Sequence, residues 1–257
     1  MGNNDYLIEK NEYSVEHTLR GLYTIVAYFI ITTIVEYILG HIFIKIGGDL
    51  TFLSSLLNFI LYVLMATSII LINRHELKHE FLRMRKMPDH VSKIVIGFLA
   101  LYFSSALISN FASMIEYGAN YWSLLKDGKL IADTTSANQS TIVSMLNNRK
   151  TVLLMFLSAF LLGPFVEEAV FRRAIFKVIK KEEIAFILSS SLFAFIHIIS
   201  SFGDYSFLSI LLMFIEYFVS GFVLTLIYVN AHKNIWVSTI VHAAYNGISM
   251  LFILSLS

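Results

Sequence analysis

The chain has 257 residues, of which 57% are hydrophobic and 14% charged, and its mean hydropathy is +0.72. A soluble domain carries roughly a quarter of its residues as charges, so this composition excludes one and requires lipid as the main solvent. The formal net charge of +1 gives no basis for nucleic-acid binding, and the absence of cysteine excludes disulfides, thiolate catalysis and Cys-type zinc sites.

A hydrocarbon core about 30 Å thick takes about 20 apolar residues per helix. After a polar start, the first run of that length is Leu22 to Ile46, read as a retained span because no small-residue cleavage site accompanies it. Gly47-Gly48-Asp49 separates it from Thr51 to Ile72, and the basic stretch Arg74 to Lys93, with Pro88, separates that from Ile94 to Tyr117. Residues Gly118 to Lys150 predict a long solvated loop that contains the polar run Asp133 to Ser140 and a short interfacial helix near Tyr121-Trp122. Four further runs follow, Thr151 to Ile179, Ile184 to Phe202, Phe207 to Val229 and Ile235 to Leu254, divided by charged or Gly- and Asn-containing turns. The expectation is an all-α, polytopic transmembrane helix bundle of about seven spans with a polar site inside it. It forms a single membrane domain, residues 1–257, with a core at 151–257 preceded by N-terminal helices and an extracytoplasmic loop at 118–150. No internal repeat or low-complexity tract is present.

Lys and Arg gather on the cytoplasmic side of membrane proteins. With the N-terminus inside, only Lys45, Lys126, Lys129, Arg149 and Lys150 lie outside, leaving the other fourteen of 19 basic residues inside. The predicted topology is therefore N-terminus cytoplasmic and C-terminus outside.

An ionisable side chain at the bilayer centre costs about 2.5–3.5 kcal/mol on insertion scales, so each one needs a partner or a purpose. The fourth run ends in Glu167-Glu168-Ala169-Val170-Phe171-Arg172-Arg173. Glu168 and Arg172 are four apart and can pair along one helical face, whereas Glu167 is turned about 100° away and left free. His197 sits among aromatics in the fifth run, and His242 and Asn246 share a face in the seventh. At 1.5 Å per residue, Glu167 lies about 20 Å from Lys180, His197 about 21 Å from Glu183 and His242 about 14 Å from Lys233, so all three can meet at one depth. A carboxylate, two imidazoles and an amide can take a proton from water, relay it and stabilise an oxyanion. Phe193 reads as packing, Glu36 and Glu216 as structural acids with Glu216 the nearer to the site, and His75 and His79 as a solvated face with no site role.

Taken together, Glu167-Glu168-x-x-x-Arg172, Phe193-x-x-x-His197 and His242-x-x-x-Asn246 resemble the EExxxR, FxxxH and HxxxN motifs of the CPBP family of intramembrane peptidases, also called the Abi or CAAX-protease and bacteriocin-processing family. The resemblance covers roughly Thr151 to Ser257. It implies that Glu167 activates water with the help of His197, that Glu168 and Arg172 support the helix and its charge, and that His242 and Asn246 stabilise the oxyanion. It further implies an endopeptidase of the bacterial cell membrane acting on a membrane-associated peptide or protein, with the lipid bilayer and that substrate as its partners and no nucleic acid. No cofactor is required in the favoured reading. Zn²⁺ held by Glu167, His197 and His242 is the open alternative, although the HExxH signature is absent. The competing function is a non-catalytic scaffold or bacteriocin self-immunity protein. A proton-coupled transporter would use the same acids but predicts paired broken helices, which the sequence does not contain.

Overall fold

The computed structural model describes residues 15–127 and 137–256. Lys10, Lys129 and part of the expected polar run at Asp133 to Ser140 lie outside the described residues. Among those described, seven helices are long and apolar enough to cross a membrane: α1 (Val15–Ile46), α2 (Leu50–Lys86), α3 (Asp89–Tyr117), α6 (Val152–Val178), α7 (Glu182–Ile198), α8 (Phe207–Asn230) and α9 (Ile235–Leu256). Between α3 and α6 run two short helices, α4 (Tyr121–Lys126) and α5 (Ala137–Leu146). The described residues form an all-helical integral membrane protein, and α4 forms where an interfacial helix is expected.

Helix ends depart from the hydropathy boundaries for identifiable reasons. Asp49 starts α2, its side chain accepting from Thr51 N at 3.1 Å and Phe52 N at 3.2 Å. The Phe52 amide, together with the Lys150 ammonium 3.2 Å away, holds the Asp49 carboxyl below the usual carboxylate range. The basic stretch expected to break the chain after Ile72 is instead a continuation of α2 to Lys86. Nothing in it stops a helix until Met87, which is extended immediately before Pro88. At 1.5 Å per residue this helix of 37 residues is about 55 Å long, well beyond the hydrocarbon core.

That extension has partners. Arg173 of α6 pairs with Glu76 and Glu80 of α2, and Lys177 pairs with Glu76 and donates to Asn73 at 2.9 Å. Glu80 also accepts from the Ile235 amide at 3.2 Å, and Trp236 Nε1 donates to Leu77 O at 2.9 Å, so α2, α6 and the start of α9 are tied together at one end. The apolar core runs continuously through Leu61 and Ile69 of α2, Leu101 of α3, Val166 and Val170 of α6, Leu224 of α8 and Val241 of α9. Large apolar side chains such as Leu71, Phe103, Leu107 and Leu153 stand exposed on the outside, as a lipid-facing surface requires.

The fourth span is not the regular α-helix its spacing predicts. It widens into π-turns at Leu157–Leu162 and Glu168–Ala174, on either side of the short α-helical turn Gly163–Glu167. Pro164 has no N–H to continue the i→i−4 ladder, and the helix accommodates it by widening in the preceding turn.

Candidate active site

The two adjacent carboxylates of α6 have opposite surroundings. Glu168 and Arg172 are fully buried and pair at 3.3 Å. Arg172 also donates to Gly221 O of α8 at 3.2 Å, and its guanidinium lies over the Phe193 ring at 4.4 Å. The approach of α8 depends on Gly221: a Cβ there would fall 3.0 Å from Phe193 Cδ1 and 3.1 Å from Ser190 O. Phe193 is therefore more than packing. It covers the buried cation and lies against the rings of His197 and His242, with centroids at 4.5 and 5.8 Å.

Glu167 points to the other side, where its side chain remains 12% exposed. Its Oε2 lies 3.7 Å from His197 Nε2 of α7 and 3.8 Å from His242 Nε2 of α9, and makes no hydrogen bond to another described side chain. The opposite ring nitrogens settle the tautomers. His197 Nδ1 lies 2.7 Å from Phe193 O, and His242 Nδ1 lies 3.1 Å from Glu168 Oε1. A carbonyl and a carboxylate only accept, so both Nδ1 atoms carry hydrogens, and a ring with no second proton presents its Nε2 lone pair to Glu167. In that form, three acceptors from three helices face one another. Such a set favours the arrival of protons, and water is the ready source.

The structure therefore brings Glu167, His197 and His242 together, with Glu168 and Arg172 directly behind them. Asn246 is nearby on α9, but its Nδ2 donates to Ala159 O at 3.0 Å. That carbonyl belongs to the first π-turn, and within a membrane such a group needs a donor from the protein. Glu216 instead lies beside Ser109 of α3. His75 and His79 line a separate cavity of about 530 Å³ at the end of the bundle, with Glu76, Glu80, Arg173 and Lys177.

Two contributors carry no sequence signal. Arg173 reads as a boundary charge, yet it is the buried anchor of α2. Tyr62 lies within the apolar run of α2 and places its hydroxyl 3.5 Å from Glu167 Oε1.

The donor types of Glu167, His197 and His242 suit zinc. As arranged they do not make a cage: no group of three or more His, Cys, Asp or Glu among the described residues is placed to hold a metal ion. Glu168 Oε1 is already shared by Arg172 and His242.

The fold and this constellation define a class, a polytopic membrane protein with a carboxylate–imidazole cluster enclosed by its helices. Residues 149–248, which carry all three motifs, match the family model described as Type II CAAX prenyl endopeptidase Rce1-like, which lies within the CPBP/Abi family. The family supports a protease acting on a peptide or protein substrate at the bilayer. The match begins just ahead of α6 and leaves α1 to α3 outside it. No curated protein and no solved structure matches the chain.

Proposed function

We propose that the protein is an intramembrane endopeptidase in which Glu167 and His197 activate a water molecule. The observation that carries this reading is Glu167 Oε2 facing two imidazole Nε2 atoms at 3.7 and 3.8 Å. With both imidazoles neutral, Glu167, Glu168 and Arg172 sum to one negative charge, so the cluster gains neutrality by accepting one proton. Water gives that proton to Glu167 Oε2 with His197 alongside, and its oxygen attacks the scissile carbonyl carbon. The C–N bond then breaks as the proton passes from Glu167 to the departing nitrogen. The second Nδ2 hydrogen of Asn246 is the donor for the oxyanion, and His242, held at Nδ1 by Glu168, joins it only when its Nε2 carries a proton. No step is assigned to a metal.

The substrate class is a membrane-associated peptide or protein, with a prenylated CAAX peptide as the first to test. The orientation we propose keeps the N-terminus inside. Arg20, Arg83, Arg173, Lys177 and Lys233 line one cavity at a single end of the bundle, in keeping with a cytoplasmic face, while Lys150 pairs with Asp49 in the loop between α1 and α2.

The test is cleavage of that peptide by the full chain in liposomes. Glu167→Gln should lower kcat by about 10²–10⁴-fold, the usual contribution of general acid–base catalysis, with its circular dichroism unchanged. Activity retained by the variant would end the proposal. Metal analysis of the purified protein, with assays before and after chelation, decides between water activation by Glu167 alone and a metal held by Glu167, His197 and His242.

A further inference from the structure

We propose that Tyr62, contributed by α2 from outside the family-matched segment, is a positioning residue that fixes which oxygen of Glu167 meets the water; this rests on the reading of Glu167 as the base. The side-chain torsion of a glutamate that sets its carboxylate plane is broad and roughly two-fold. An unanchored Glu167 would therefore present either oxygen, at varying angles, to His197 and His242. Tyr62 is the one side chain among those described that donates to it, reaching Oε1 and leaving Oε2 to face both imidazoles.

The surroundings preserve this contact. Tyr62 packs against the buried core, and its hydroxyl needs a polar partner there. Gly163, one turn before Glu167, borders the contact: a Cβ there would stand at an ordinary 3.7 Å from both Glu167 Oε1 and Tyr62 Cε1, and only its 3.0 Å approach to Ser158 O would be tight. At 3.5 Å the bond is long. Catalytic hydrogen bonds commonly tighten when substrate binds and excludes water, which is when the orientation of Glu167 matters.

Tyr62→Phe keeps the ring and removes the donor. A hydrogen bond to a charged group corresponds to a loss of about 10- to 100-fold in kcat, with KM and melting temperature unchanged because Tyr62 touches the base and not the substrate. A merely structural tyrosine would not respond to the acidity of its hydroxyl. Replacing Tyr62 with fluorinated tyrosines of graded acidity should therefore move kcat in step with the donor strength. In the full chain in detergent, the ¹⁹F resonance of 3-fluorotyrosine at position 62 should also shift when Glu167→Gln is introduced, a readout that needs no turnover. If the wild type cleaves and Tyr62→Phe keeps kcat within about twofold, on the scale set by such a bond, the inference is overturned. An unmoved ¹⁹F resonance overturns it whether or not the wild type cleaves any peptide. A wild type without cleavage counts against the peptidase reading itself.

Discussion

Replacing Arg172 with Met removes the buried cation and keeps most of its length. Three contacts disappear: the ion pair to Glu168 at 3.3 Å, the bond to Gly221 O at 3.2 Å and the approach to the Phe193 ring at 4.4 Å. Both charges of the pair are fully buried, and removing one partner of such a pair costs about 3–5 kcal/mol because the other is left uncompensated. His242 Nδ1 remains 3.1 Å from Glu168 and can supply it with a proton donor, which puts the expected loss at about 3 kcal/mol, the lower end of that range. Reversible unfolding of the full chain in mixed micelles, followed by circular dichroism against denaturing detergent, measures it. The double variant Glu168→Met with Arg172→Met removes both charges, and replacing a buried pair by apolar groups is often neutral. It should therefore recover most of the stability while remaining inactive. A loss below about 1 kcal/mol for the single variant, the range of an exposed pair, would refute the reasoning, as would a double variant no more stable than the single one.

Two further substitutions test the frame around the site. Gly221→Ala places a Cβ 3.0 Å from Phe193 Cδ1 and 3.1 Å from Ser190 O; overpacking of this kind costs about 1–3 kcal/mol, and kcat should fall as Phe193 is pushed from Arg172 and His197, read in the same unfolding and cleavage assays. Asp49→Ala removes the α2 cap. Because the Asp49 carboxyl is held below the usual carboxylate range, its contribution is fully present above about pH 4, the unfolded value, and is lost as pH falls through the lower folded one. Melting temperatures of wild type and variant should therefore differ at neutral pH and converge in acid; a gap that persists there would contradict the capping role.

The site residues were legible because lipid makes them conspicuous. Glu167, His197 and His242 interrupt otherwise apolar spans, and rise-per-residue arithmetic already allows them one depth. Tyr62 was not legible, since an aromatic residue in an apolar span reads the same whether it packs or donates. Phe193 was underread for a related reason: sequence spacing places it near His197 but does not reveal a guanidinium above it. Glu76 and Glu80 look like part of a solvated basic stretch until Arg173 is seen between them, a pairing of residues nearly a hundred positions apart. The π-turns of α6 were hidden as well, because Glu168 and Arg172 are four apart in either kind of turn.

Those wide turns make the length of α6 a functional quantity. A π-turn holds one residue more than an ordinary turn, so deleting a single residue between Leu157 and Leu162 would allow a regular helix to form there. Because the wide turn takes up its extra residue with little net rotation, residues on either side of the cut would keep nearly the same faces. The face held by Arg173 and Lys177 against α2 would stay in place, while the carbonyl that Asn246 holds at Ala159 would be taken back into the helix's own ladder. A shortened α6 would keep every motif letter on its face and lose only the tie between that helix and Asn246.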